Sequence, residues 1–238
     1  MWKLNNSVGT LRHEFYAATV DLRRPDFGIH ALEIHDSKLP EAKLLAIDLQ
    51  DSSPPAIDEA YVRGDDLVAT YEQTEPRSFC PQVNWRVLAE EQSRFGFELL
   101  FSAQTSLLAS DPLVNLRSHL LAESACVFAG PSADIQKIDA GALLTFSNPD
   151  RVSAVLVRLA NVAWSYVELL NDSDFHQLEI SRADSVAQLS YRLFPERLEK
   201  GVIRRARARG LFVPRDGDEQ AARECVQQLA DADPPLTT

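Results

Sequence analysis

Two clusters of side chains carry the chemistry that a polar ligand needs. Arg63, Asn84, Arg86 and Gln104 fall at positions that a pleated sheet places on one polar face, in the company of Tyr71, Gln82 and Glu98. Guanidinium, amide and carboxylate groups are planar hydrogen-bond partners, and an aromatic ring adds a stacking surface; this set suits the hydroxyl-rich face of a sugar. The solvated outer face of an antiparallel sheet is polar as well, and that plainer reading fits the same residues better. The second cluster is KGVIRRARARGLFVPR, residues 200–215, with five arginines in sixteen residues. As an extended strand it puts Arg205, Arg207 and Arg209 on one side and Ala206, Ala208 and Gly210 on the other. Helical spacing would scatter the arginines and leave no apolar stripe.

Left unpaired, the arginine face is a site for a small anion or an acidic glycan. Paired across the sheet, with Glu168, Glu179 or Asp184 as candidate partners, it is a neutralised structural face. Charge bookkeeping points to pairing. Residues 196–215 hold seven basic and two acidic side chains, while residues 216–238 hold one basic and six acidic, so the two segments cancel. The formal net charge of −11 works against a general nucleic-acid partner, because phosphate would be repelled.

Other constellations are weaker. Asp172, Asp174 and His176 alternate and could present oxygens to a cation, but the segment lacks the glycine and distal glutamate of a calcium loop and reads as a polar turn. No metal and no cofactor is expected. His30 and His35 flank Glu33, and His119 shares a face with Arg117 if extended, but no nucleophile accompanies any of them. Paired carboxylates at Asp58-Glu59, Asp65-Asp66 and Glu90-Glu91 meet only half the requirement of glycosidase chemistry, which is a defined separation across a cleft. Phosphate loops, dinucleotide fingerprints, nucleophile elbows and Cys-x-x-Cys pairs are absent. Arg63-Gly64-Asp65 fits a tight hairpin turn better than an adhesion tripeptide.

The elements that position these residues alternate with period two. Val83, Trp85 and Val87 share one face against Gln82, Asn84 and Arg86; Phe95, Phe97, Leu99, Phe101 and Ala103 share another; Leu45, Ile47 and Leu49 alternate with Ala46, Asp48 and Gln50. Further strands are expected at 14–22, 28–34, 142–146, 152–159, 164–170, 175–180, 186–194 and 202–213, with turns at Ser52–Pro55, Asp111-Pro112, Gly130-Pro131 and Asn148-Pro149. One helix is expected at about 217–231, with Asp216 as N-cap, Glu219 reaching back, a stripe of Ala222, Cys225, Val226 and Leu229, and a stop at Pro234-Pro235.

These readings give a mainly β fold, an antiparallel two-sheet β-sandwich with a short C-terminal helix. On size and strand count alone it is either an ordinary sandwich or a large supersandwich of the kind seen in mutarotase-like proteins. Residues 1–238 read as one domain; the weaker patterning of 110–141 allows a crossover between sheets, with a subdivision near 131 as the alternative. Three scattered cysteines and the lack of a signal sequence or an ~18-residue apolar span predict a cytoplasmic protein with free thiols, away from membranes. The expected function is carbohydrate or small-anion binding by Arg63, Asn84, Arg86, Gln104, Arg205, Arg207 and Arg209. The alternatives are an epimerase- or glycosidase-like enzyme on the same fold, and an interaction protein, possible as a homodimer, using the arginine strand as its edge.

Overall fold

A computed structural model describes residues 1–238 except 36, 50–52, 76, 91–93, 131–133, 148–151, 195 and 233–238. The expected turns at Gly130-Pro131 and Asn148-Pro149, the boundary near 131, the helix stop at Pro234-Pro235, and parts of Ser52–Pro55 and Glu90-Glu91 therefore lie outside the described residues. The first strands are Trp2–Asn5 (β1), Val8–Arg12 (β2), Tyr16–Asp21 (β3), Ile29–Ile34 (β4), Ser37–Leu39 (β5), Lys43–Asp48 (β6), Ile57–Arg63 (β7) and Asp66–Tyr71 (β8). Next come Cys80–Glu90 (β9), Arg94–Gln104 (β10), Ala109–Ser110 (β11), Val114–Ala129 (β12), Asp134–Ile138 (β13) and Leu143–Ser147 (β14). The last are Val152–Leu159 (β15), Trp164–Leu170 (β16), Phe175–Ala183 (β17), Val186–Leu193 (β18), Leu198–Glu199 (β19) and Ile203–Pro214 (β20), before the helix Asp218–Asp231 (α1). Every pairing is antiparallel, as short strands joined by tight turns require.

Three ladders organise the chain. One runs β5-β4-β3-β2-β1. A second runs β6-β12-β18-β17-β14. The third runs β7-β8-β9-β10-β20-β16-β15-β12-β13. The 16-residue strand β12 serves two of them: residues 114–121 pair with β18 and residues 122–129 with β15. With β4 touching β6 at Ile29 and Leu44, 18 strands join into one connected network, and β11 and β19 form a separate pair. Hydrogen bonding thus does not divide the strands into two separate sheets, because the segment expected to cross between sheets is itself a shared strand.

The alternation read from the sequence sets the faces. Val83, Trp85, Val87, Phe95, Phe97, Phe101, Ala206 and Ala208 all turn into one large core. A stack runs through it from Tyr16 to Phe95 at 4.7 Å and from Phe95 to Phe212 at 5.0 Å between ring centroids. Burying each such ring contributes about 2–3 kcal/mol. On the outer face of the third ladder, Phe128, Leu156, Val167, Leu169, Leu211 and Val213 form a second cluster, which α1 covers with Ala222, Cys225 and Leu229. Asp218 holds the helix down: Arg158 donates two bonds of 2.8 Å to its carboxylate and Ser165 a third of 2.7 Å.

Three local expectations need correction. The N-cap of α1 is Gly217, in the left-handed region at φ 76°, with no side-chain cap; Asp216 is one residue too early, and Asp218 is committed to Arg158. Tyr71 is fully buried and donates its hydroxyl to the Leu22 carbonyl at 2.9 Å, so it is absent from the polar face; the alternating position that faces outward is Thr70. Leu45 has φ 49° beside a bulge in the β6–β12 register, so Leu44 and Leu45 are both buried and the simple alternation there fails.

Candidate functional site

The two clusters identified in the sequence lie on one surface. Register across four strands of the third ladder aligns Asp66, Arg86, Glu98 and Arg209 as direct neighbours. The next row is Val68, Asn84, Leu100 and Arg207, and the next Thr70, Gln82, Ser102 and Arg205. This is the outer face of the ladder, beside the area that α1 covers.

The first row alternates in charge and is neutralised within itself. Arg86 makes a two-pronged contact with Asp66, at 2.6 Å from Nε and 3.1 Å from Nη2, and reaches Glu98 at 3.4 Å. Bonding to Asp66 raises the Arg86 pKa, against burial, which lowers it. Arg209 Nε donates to Glu98 at 2.7 Å, and Arg207 Nε lies 3.8 Å from the same carboxylate oxygen. Burial lowers the pKa of Arg207, opposed by Glu98. Glu98 is itself 4% exposed in its side chain, so three guanidinium groups share one buried acceptor. The expected partners Glu168, Glu179 and Asp184 are not the ones used. Glu168 stands opposite Gly210, on the other face of the strand, while Glu179 and Asp184 belong to the second ladder and the turn beyond it.

The remaining predicted residues divide. Arg63 ends β7 at the exposed side of the hairpin, 3.9 Å from Asp66. The turn beside it is Gly64-Asp65, as the sequence implied. Asn84 is half-buried, and its amide oxygen has no hydrogen-bond partner among the described residues. Gln104 is exposed at the end of β10, opposite Cys80 and Ile203. Arg205 is half-buried; its one hydrogen bond goes from Nε to Ser102 Oγ at 3.3 Å, and no carboxylate pairs with it among the described residues. The arginine strand is not a free edge over residues 208–212, where β10 and β16 bond to its two sides.

A cleft of about 420 Å³ opens where Arg205 and Arg207 meet the turn between β16 and β17 and the last turn of α1. Its polar wall is Asn171, Ser173 and Asp174, and its apolar rim is Ile203 and Leu229. Asp174 accepts the Arg207 backbone N–H at 3.0 Å and the Ser173 hydroxyl at 3.0 Å, which fixes the turn against β20. Sequence reasoning marked these residues as a polar turn; that the turn folds back over the arginine strand is decided by pairing 33 residues apart. Among the described residues, no three His, Cys, Asp or Glu side chains are grouped as metal ligands.

The interior holds a second unusual carboxyl. Glu168 is fully buried; Tyr166 donates to its Oε2 at 2.6 Å and Ser118 donates to the same oxygen, while Oε1 has no partner among the described residues. Leu45 N–H donates to Ser118 Oγ at 3.1 Å, which fixes the hydroxyl as donor to Glu168. Burial raises the Glu168 pKa to about 7, against the two hydroxyl bonds, which lower it. Among the described residues, no cation stands beside it to offset the burial.

No family model and no curated protein matches the chain. Solved structures do match. A GalM/aldose epimerase homologue from C. elegans superposes with a TM-score of 0.53 at 8% identity, over 87% of this chain and 99% of that one. A putative aldose 1-epimerase from Klebsiella pneumoniae superposes with a TM-score of 0.52 at 8% identity, over 97% of this chain and 87% of its own. The chain is similar in fold to these epimerase homologues. A mutant of the heparan sulfate lyase HepC from Pedobacter heparinus gives 0.50 at 10% identity over 90% of this chain but 36% of the lyase, so this chain spans about a third of that protein's length. Likeness at this identity is of fold, and the chemistry of the clefts is this chain's own.

Proposed function

We propose that this protein binds carbohydrate, in the cleft between β20 and the 171–174 turn, and that the preferred sugar carries a carboxylate. One observation carries the reading: Arg205 stands in the wall of that cleft with a hydroxyl as its only hydrogen-bond partner among the described residues, whereas its neighbours Arg86 and Arg209 are held by Glu98 and Asp66. Counting Arg86, Arg205, Arg207 and Arg209 against Asp66, Glu98 and Asp174 leaves one positive charge on this surface, and Asn171 and Ser173 add neutral donors and acceptors for hydroxyl groups. In this reading Arg205 touches the ligand, Arg207 backs it from its place beside Glu98, and Arg63, Asn84, Arg86, Gln104 and Arg209 complete the polar face beyond it. The fold shared with aldose epimerase homologues supports a sugar over another polar ligand. We read the architecture as a supersandwich forming one domain, because strands of all three ladders contribute to one core.

The proposal is of binding rather than turnover. Among the described residues, the walls of these four clefts hold no histidine, so the histidine–carboxylate pair that the catalytic alternative requires is not met in them. Calorimetric titration with D-glucuronate and with D-galactose tests the reading. Glucuronate is expected to bind more tightly than galactose, and Arg205→Ala to weaken glucuronate about tenfold or more, the value of a charge-assisted hydrogen bond. Absence of heat with both sugars, or undiminished affinity in the variant, overturns it.

A further inference from the structure

The outer face of the second ladder carries a different polar surface. Across β12, β18 and β17, register places Asn115, Arg192 and Gln177 in one row and Arg117, Ser190 and Glu179 in the next. These six side chains, with Leu113 at the rim, wall a cleft of about 380 Å³. The solvated face of a sheet is commonly covered by flexible lysine and glutamate chains whose only partner is water. Here the two rows contain no lysine, and amide, hydroxyl and guanidinium groups converge instead.

Charge is balanced once Asp48, on the strand beside the wall, is counted: Arg117 and Arg192 stand against Glu179 and Asp48. Arg117 pairs with Asp48 at 2.9 Å on the neighbouring strand, and Glu179 accepts from Gln177 at 2.7 Å. Against these anchored pairs, Arg192 is exposed, and Asn115, Ser190 and Arg192 have no side-chain hydrogen-bond partner among the described residues. The cleft thus presents an immobilised frame and three open groups, all of them donors and two of them, Asn115 and Ser190, also acceptors, so that each can meet a hydroxyl. Leu113, 53% exposed, is an apolar surface at its rim for the C–H face of a sugar ring.

We infer that this cleft is a second ligand site, for a neutral polyhydroxylated ring such as a hexopyranose. It does not rest on the Arg205 cleft, which lies on another ladder and carries excess positive charge. His119 stands one register position beyond, opposite Gln188, and outside the cleft wall, so the site is assigned binding and no chemistry.

Amide chemical-shift titration of the full ¹⁵N-labelled chain with D-galactose, D-glucose and D-glucuronate tests the inference. The expected result is saturable shifts at Asn115, Ser190 and Arg192 with galactose or glucose, weakened about tenfold in Arg192→Ala and in Asn115→Ala and unchanged in Arg205→Ala. Arg192 is exposed and unbonded, so its variant keeps the parent's unfolding midpoint. The inference is overturned by the absence of saturable shifts at these residues with all three sugars, or by shifts that survive Arg192→Ala at full affinity. It is also overturned if Arg205→Ala alone abolishes binding, in which case the Arg205 cleft is the sugar site and its own proposal stands. Conversely, loss in Arg192→Ala with glucuronate ignored by Arg205 leaves this site standing and overturns the other.

Discussion

Glu98 and Glu168 are both carboxylates removed from water on strands that flank β20, and they meet opposite surroundings. Glu98 lies across from Arg209 and collects Arg86, Arg207 and Arg209 around it. Glu168 lies across from Gly210, the very next residue of β20, and among the described residues its hydrogen bonds come from the hydroxyls of Tyr166 and Ser118 alone. One step along a strand reverses the face, and the face decides whether a cation is present. A carboxylate in a low-dielectric site is retained as an anion only where opposite charge repays its lost hydration; where hydroxyls alone are available, protonation is the cheaper state.

The largest test of this contrast is Glu98→Gln. Removing the charge leaves three guanidinium groups converging on a neutral amide, and breaking a buried charge cluster in this way costs about 3–5 kcal/mol. Chemical denaturation at pH 7 measures it, and a loss under about 1 kcal/mol would show that Glu98 does not hold the arginines together.

Glu168→Gln is expected to move stability in the opposite direction above neutrality. The folded-state pKa of Glu168, about 7, exceeds that of an unfolded glutamate, so folding takes up a proton. This carboxyl's contribution is therefore fully present below about pH 4 and is lost as pH rises through about 7, a change of roughly 3 kcal/mol. Unfolding curves of parent and variant should run closest near pH 4 and diverge toward pH 8, with the variant the more stable. Parallel curves across that range would mean that Glu168 is ionised in the fold and that the contrast with Glu98 is false.

The smallest of these effects concerns Gly210, which keeps the two environments apart. A Cβ built there falls 2.3 Å from the Tyr166 hydroxyl oxygen. Gly210→Ala should destabilise the protein by about 1–3 kcal/mol through overpacking. It should also shift the pH dependence attributed to Glu168, because the displaced hydroxyl is one of that carboxyl's two donors. Destabilisation with an unchanged pH profile would separate packing at Gly210 from the protonation of Glu168.

Much of the frame was legible in the sequence for a definite reason: a strand's side chains alternate strictly, so faces follow from parity alone. Val152–Leu159 and Trp164–Leu170 form over the very residues expected, and Arg205, Arg207 and Arg209 share a face opposite Ala206, Ala208 and Gly210 as parity demands. The Gly64-Asp65 turn and the Ala222–Cys225–Leu229 stripe likewise follow from local spacing. Local capping chemistry was less dependable, since Asp218 serves Arg158, sixty residues away, rather than the end of its own helix.

Partner choice was beyond the sequence. The arginines could be seen to need carboxylates, and the total charge showed that carboxylates were at hand, yet the pairing falls to Glu98, more than a hundred residues earlier. Nothing in composition distinguishes Glu98 from Glu168, Glu179 or Asp184 as a candidate. The sequence by itself determined a mainly β chain, the two faces of each strand, and the C-terminal helix, because these depend on periodicities of a few residues. Only the tertiary structure decided which strands lie side by side, and with them the Glu98 cluster, the neutral setting of Glu168, and the two clefts, because register between distant strands is set by the packing of the whole core.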